Sequence, residues 1–239
     1  MRFLRLITSP RDTFADLNSK PTWVLPFLSI VVVTYALNFI VYRVIVTDAN
    51  FDQVARAKIA WDAAESRVSA TPGQIEHAVE RLRAQRNRWY LFPILGVTLS
   101  TLGISVLFYL IFRALKAGST FRKVFSVVCW SFVVYRVLGG VLTGIALSMQ
   151  GPGRFKPAPP EAWSPTSLAH LVSRASMSPN AYSALSKLDP FLVWFLVLLA
   201  IGFSVTAENL SVRRAIAIVL VCEVAYLGLN ALGALPGAS

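Results

Sequence analysis

The 239-residue chain is 55% hydrophobic and 15% charged, with 23 Lys and Arg against 12 Asp and Glu and a formal net charge of +11. Soluble domains run near roughly 45–50% apolar and about 25% charged, and one helical crossing of a bilayer uses about 20 apolar residues. This length therefore holds several crossings and leaves no room for a large soluble domain beside them. His77, His170, Cys129 and Cys222 are all the soft-ligand chemistry present, and both cysteines lie in apolar runs, which excludes a disulfide framework and argues against a metal site.

The opening residues 1–10 are basic, but their apolar stretch is too short and broken for a signal-peptide core, so the first span must act as the insertion signal. Ser9-Pro10-Arg11-Asp12 carries an N-cap residue, a proline at the first helical position and an acid at the third, an arrangement of the capping-box kind. The helix it starts places Phe14 and Leu17 on one face. With Phe3, Leu4, Leu6 and Ile7 upstream, that face suits the cytoplasmic lipid interface or, equally, packing on the protein's own spans.

Uncharged apolar runs of bilayer length predict five spans, at about 23–46, 90–115, 124–149, 191–207 and 215–235. The fold class is therefore all-α, a polytopic membrane protein forming a single membrane domain over 1–239. Between the first two spans, residues 51–89 read as an outer helical hairpin: Val54, Trp61 and Val68 recur at helical spacing, Thr71-Pro72-Gly73-Gln74 repeats the helix-start signal, and Ile75, Val79, Leu82 and Trp89 follow in register. Residues 150–189 form a Pro-rich outer loop. Pro157-Ala158-Pro159-Pro160 stiffens it as a spacer, Ser164-Pro165 and Ser178-Pro179 each announce a short helix, and Asp189-Pro190 starts the fourth span.

Orientation follows the Lys and Arg of the short loops. The connector with Arg113, Lys116, Arg122 and Lys123 holds no acid and should be cytoplasmic, which also places Arg2, Arg5, Arg11, Lys20, Arg213 and Arg214 inside and the C-terminus outside. Arg81, Arg83, Arg86 and Arg88 pull the other way, but they stand in a long loop with six acids, where the bias counts for less.

Two ionisable residues fall inside spans, Arg136 in the third and Glu223 in the fifth. Counted from Lys123 and Arg214 they lie at depths of roughly 20 and 14 Å, within reach of each other as an ion pair that either fixes the packing of two helices or lines a proton or ion pathway. Asn38, Asn230, Tyr135 and Tyr226 could extend a polar seam. Gly140 and Gly144 make a small-xxx-small pair at which another helix, of this chain or a second copy, can dock, and Arg43 is close enough to the end of the first span to snorkel outward. No catalytic motif is present: there is no H-E-x-x-H, G-x-S-x-G or phosphate-cradling glycine loop, and no pair of intramembrane aspartates. No cofactor and no nucleic-acid partner are implied, because the basic residues stand at loop ends, where anionic head groups lie.

Arg5-Leu6-Ile7-Thr8-Ser9-Pro10-Arg11-Asp12-Thr13-Phe14, then Lys20-Pro21-Thr22-Trp23 and Leu25-Pro26, resemble the start of bacterial members of the Yip (Ypt-interacting protein) family. Leu188-Asp189-Pro190-Phe191-Leu192-Val193-Trp194, leading to Ala200-Ile201-Gly202-Phe203, resembles their fourth span, and the likeness runs from about residue 3 to 232. The resemblance implies a five-span membrane fold. Eukaryotic relatives bind prenylated Rab-type GTPases and shape membranes, but their cytosolic Asp-Leu-Tyr-Gly-Pro signature has no match here. The expectation is a non-enzymatic protein of the bacterial inner membrane that organises lipid or partner membrane proteins, itself included. A small transporter or channel subunit using Arg136 and Glu223 is the alternative, disfavoured because no inverted repeat is evident and five spans do not halve.

Overall fold

The structure, a computed structural model, describes residues 2–65, 71–86, 92–150, 163–173 and 176–231. In chain order it contains α1 (Arg2–Thr8), α2 (Pro10–Ser19), α3 (Val24–Phe39) continued by a π-helical turn (Ile40–Ile45), α4 (Phe51–Glu65), α5 (Pro72–Gln85), α6 (Phe92–Ala114), α7 (Phe121–Phe132) continued by a second π-helical turn (Val133–Leu138), α8 (Gly139–Gln150), a 3₁₀ turn (Leu168–Leu171), α9 (Pro179–Ser186), α10 (Pro190–Thr206) and α11 (Val212–Ala231). Every regular element among the described residues is helical. The segments Val24–Arg43, Phe92–Ala114 and Phe121–Met149 are long and apolar enough to cross a membrane, and α9 with α10, bent by 62° at their junction, makes a fourth if the two act as one span. The fifth expected run forms α11, whose 20 residues include Arg213, Arg214 and Glu223. The proline stretch 157–160, Val68, Trp89 and residues 232–235 lie outside the described residues.

The chain divides into two compact units. The first comprises Met1–Thr34, Ile94–Leu138 and Phe191–Val224. Its central element is α7, in which every residue from Val124 to Phe132 is buried, as expected of a helix surrounded by others. Around it the aromatic rings interlock: Phe108 and Phe112 of α6 meet Phe203 of α10 at 4.7 and 4.8 Å, and Phe132 stacks on Phe195 at 4.5 Å. On α6 the buried stripe is Val97, Thr101, Ser105, Phe108 and Phe112, one helical face, while Leu95, Leu99 and Leu110 are exposed. A soluble protein seldom leaves so many large apolar side chains uncovered, whereas a lipid-facing helix turns its leucines outward and its small residues inward.

The amino-terminal helices belong to this unit and are clamped to α7. Trp130, 1% exposed, donates its indole N–H to the carbonyl of Thr22 at 2.8 Å and meets the ring of Phe3 at 5.3 Å; Arg2 donates to the Thr22 hydroxyl at 2.7 Å. Ser9 flanks α2, but its side chain makes no capping bond. Its N–H instead continues α1, donating to the carbonyl of Arg5 at 2.7 Å, so the expected single capped helix is two helices in succession. Phe14 lies against Gly202 of α10, where an added Cβ would stand 2.5 Å from Val127 and 3.0 Å from the Phe14 ring.

The second unit comprises Tyr35–Pro93, Gly139–Pro190 and Ala225–Ser239. Its core joins Val41, Ile45 and Val46 to Phe51, Val54 and Ala55 of α4, Val79 of α5 and Leu147 of α8. The α4–α5 hairpin carries the expected capping box: Thr71 accepts from the Gln74 N–H, and Gln74 reaches back to the Thr71 N–H. Ion pairs cross the hairpin, Arg56 to Glu76 and Arg83 to Asp52 at 2.6 Å, while Arg86 joins Asp48 and donates to the Val46 carbonyl at 2.7 Å. A smaller cluster of Trp61, Ala169 and Tyr182 packs α9 and the 3₁₀ turn onto α4. That turn starts at Ser167, whose hydroxyl donates to the Ser186 carbonyl at 2.8 Å; the Ser164 hydroxyl bonds Thr166 instead of capping a helix. Ser178 caps α9 as expected.

Two outcomes follow from this packing. Gly202→Ala should lower stability in detergent by about 1–3 kcal/mol, because the methyl group has nowhere to go, whereas Gly103→Ala, with nothing within 4 Å of its Cβ, should be neutral or raise the melting temperature through helix propensity. In the hairpin, the hydrogen bond from Arg56, aided by its charge, holds the Glu76 carboxyl below the usual glutamate range. A depressed carboxylate stabilises the fold above its unfolded value and loses that contribution as pH falls through the folded one. The protection factor of α5 amides, the intrinsic exchange rate relative to the observed one at each pH, should accordingly fall as pH drops below the ordinary glutamate value of about 4.3, and Arg56→Gln should remove the Glu76 share of that dependence.

Candidate functional site

Arg136 occupies the π-helical turn that separates α7 from α8. Its guanidinium lies 5.0 Å from the Tyr135 ring centroid and 5.9 Å from that of Phe132, and the Phe195 ring of α10 stacks on both rings, at 5.9 and 4.5 Å. Aromatic faces offer a cation an attractive quadrupole but no acceptor lone pair. The Nε of Arg136 is buried with no hydrogen-bond partner, as are the Ser131 hydroxyl and the Trp194 indole nitrogen in the same unit. Glu223 stands half-buried on α11 and is itself engaged in an interaction. Among the described residues, the contacts of the Arg136 head group are these two rings.

A direct repeat marks this turn. Phe132-Val133-Val134-Tyr135-Arg136-Val137-Leu138 echoes Phe39-Ile40-Val41-Tyr42-Arg43-Val44-Ile45, and in each copy the six residues after the phenylalanine form the π-helical turn. Neither composition nor hydropathy singles out the motif; comparing the chain with itself does. A π turn inserts one residue into the helical hydrogen-bonding pattern and recurs at functional positions in other proteins. In the second unit, Arg43 is exposed, while Val41 and Ile45 on either side are buried in the core.

Lys187, at the end of α9, is another feature that apolar patterning does not reveal. It is 4% exposed, with its ammonium 4.9 Å from the Tyr226 ring centroid and 3.4 Å from the Tyr226 hydroxyl. Asp189, two residues on, is 8% exposed. Of the glycine pair, Gly144 faces Leu37 and Ile40, 3.6 and 3.9 Å from where its Cβ would be, so this position meets a helix of the same chain; Gly140 is half-buried on α8.

Phe14 and Leu17 are 0% and 1% exposed, turned into the first unit, whereas Leu4 and Ile7 of α1 are 65% and 43% exposed. The basic connector between α6 and α7 docks on the connector between α10 and α11. The Glu208 N–H donates to the Ala117 carbonyl at 2.9 Å, and Gly118 takes a φ of +62° against the Glu208 side chain, with no room for a Cβ. Arg113, Lys116, Arg122 and Lys123 therefore share one end of this unit with Arg213 and Arg214, which begin α11.

Neither the curated proteins nor the solved structures contain a match to this chain. The Yip1 domain family does match, over residues 4–234. That stretch takes in the clamped amino-terminal helices, every membrane-length helix and both π turns, and together with the outward-facing apolar surfaces it makes the chain a multi-pass membrane protein belonging to the Yip1 domain family.

Proposed function

We propose that the protein is a non-enzymatic, five-span component of a bacterial inner membrane that organises lipid or partner membrane proteins through its amino-terminal segment. The observation that carries this reading is the division of labour in that segment: Leu6, Phe14 and Leu17 are buried against the bundle, while Leu4 and Ile7 remain exposed beside Arg2 and Arg5. Apolar side chains flanked by arginines suit the boundary between acyl chains and anionic head groups. The buried residues hold α1 in place and the exposed ones enter the lipid, so the helix acts as an anchored wedge. The meeting of the basic α6–α7 connector with the end of the unit that carries Arg213 and Arg214 supports a cytoplasmic setting for that end, with the amino terminus inside and the carboxyl terminus outside.

The test is the double change Leu4→Asp and Ile7→Asp, followed by growth and membrane morphology at matched protein levels. Altered morphology with an unchanged melting temperature is expected; unchanged morphology would overturn the wedge. Phe14→Asp, which places a charge against Gly202 and Val127, should instead reduce the amount of folded protein. Cysteine accessibility at Lys20, Lys116 and Arg213 positions, each changed to Cys in turn, should report one common side, opposite to that of the α4–α5 hairpin.

A further inference from the structure

Ser131, Arg136 and Trp194 each bury a hydrogen-bonding atom without a partner. Ser131 precedes Phe132 and Trp194 precedes Phe195, and those two rings stack at 4.5 Å, so the three residues belong to one level of the first unit. Arg and Trp nitrogens only donate, and a serine hydroxyl can do so as well. What the Arg136 Nε lacks is an acceptor. The guanidinium supplies further donors, and its contacts among the described residues are ring faces. An uncompensated cation among apolar side chains is costly enough that it draws in a counter-charge, head group or water.

The level lies near a membrane end of the bundle. Phe195, which stacks on Tyr135 and Phe132, is five residues from Pro190, the first residue of α10, a rise of about 8 Å. Trp194 has the position of an interfacial tryptophan. Val193 and Leu138, neighbours of Trp194 and Arg136, are 61% and 40% exposed, so lipid reaches this surface. Arg presents a planar fork that matches a phosphate bidentately, and the π turn sets that fork over the Phe132 and Tyr135 rings rather than against a carboxylate.

We propose that Arg136 binds the phosphate of an anionic phospholipid at the end of the bundle where α10 begins. The phosphate oxygens supply the acceptor that the guanidinium lacks, and the acyl chains lie along the exposed face of α10, where Val193 and Val197 stand open. This deepens the lipid-organising reading and rests on it. The two fail separately, since the Leu4→Asp, Ile7→Asp variant addresses the wedge and leaves this level untouched.

The full chain, purified in mild detergent and reconstituted in nanodiscs of phosphatidylglycerol and phosphatidylcholine, is the material for the test, with co-purifying lipid read by native mass spectrometry. Wild type should retain phosphatidylglycerol in preference to phosphatidylcholine. Arg136→Gln should lose that preference by about tenfold, the scale of one charge-assisted hydrogen bond, and Arg136→Lys should keep part of it. Arg136→Lys, which keeps the charge but loses the planar fork, serves as the decisive variant if Arg136→Gln does not fold. Arg122→Gln with Lys123→Gln should leave the tightly held lipid in place. Displacement of the lipid by excess inorganic phosphate would overturn the lipid assignment in favour of a free anion, and equal retention by wild type and both Arg136 variants would overturn the site.

Discussion

A polar group facing hydrocarbon has no water to turn to, and that constraint orders the first unit. Four of its buried hydroxyls spend their donors locally: Thr101 on the Val97 carbonyl at 2.6 Å, Ser105 on Thr101 at 2.7 Å, Ser126 on Arg122 at 2.8 Å and Thr206 on Gly202 at 2.9 Å. Each such bond returns to the preceding turn of its own helix, so the hydroxyl fills space like a small apolar group while staying satisfied. With those groups neutralised, cohesion falls to shape: the Phe108–Phe112–Phe203 cluster, the Phe132–Phe195 stack and the close approach at Gly202. Trp130 departs from the pattern. Its donor crosses from α7 to the Thr22 carbonyl, and this long-range hydrogen bond ties the amino-terminal segment to the bundle.

That tie changes what the segment can do. An amphipathic helix joined to a span by a free linker follows the lipid surface alone, but here Phe3, Thr22 and Phe14 are all packed in the first unit, on Trp130, under its indole and against Gly202. In the proposed wedge, a push on the exposed face of α1 would be delivered to α7 and α10 through close-packed aromatic contacts, which have little compliance. The ion pair between Arg5 and Asp16 at 3.1 Å joins α1 to α2 but is exposed and adds little.

Much of this architecture was legible because its determinants are local. Apolar runs located the long helices to within a few residues, Thr71 and Gln74 formed their capping box, and Pro190 began α10. The destination of Phe14 and Leu17 was not legible, since an apolar helix face states that it avoids water and not whether protein or lipid covers it. Ser9-Pro10 did mark the start of α2, but the capping bonds did not form: the Ser9 N–H, which an acid at the third position would receive, is donated to the Arg5 carbonyl of α1. The π turns have no hydrophobic signature at all: an extra residue in one turn shifts the register without changing composition. Arg136 and Glu223 were matched by depth alone, which leaves open the direction in which each points around its helix.

The repeated Phe-x-Val-Tyr-Arg-Val sequence bears on why an arginine is tolerated where it is costly. If Arg136 served only to fill space, a leucine would do so without desolvating a charge. If it served only as an ion-pair partner, the surroundings would offer a carboxylate, yet the described contacts are rings. In both copies a tyrosine precedes the arginine on the widened turn and a phenylalanine stands four residues before it. The two settings differ, with Arg43 exposed and Arg136 half-buried, so a shared solvent environment does not account for the repetition. What the copies have in common is an arginine that follows a tyrosine on a wide helical turn, and at Arg136 that turn sets the guanidinium over aromatic rings.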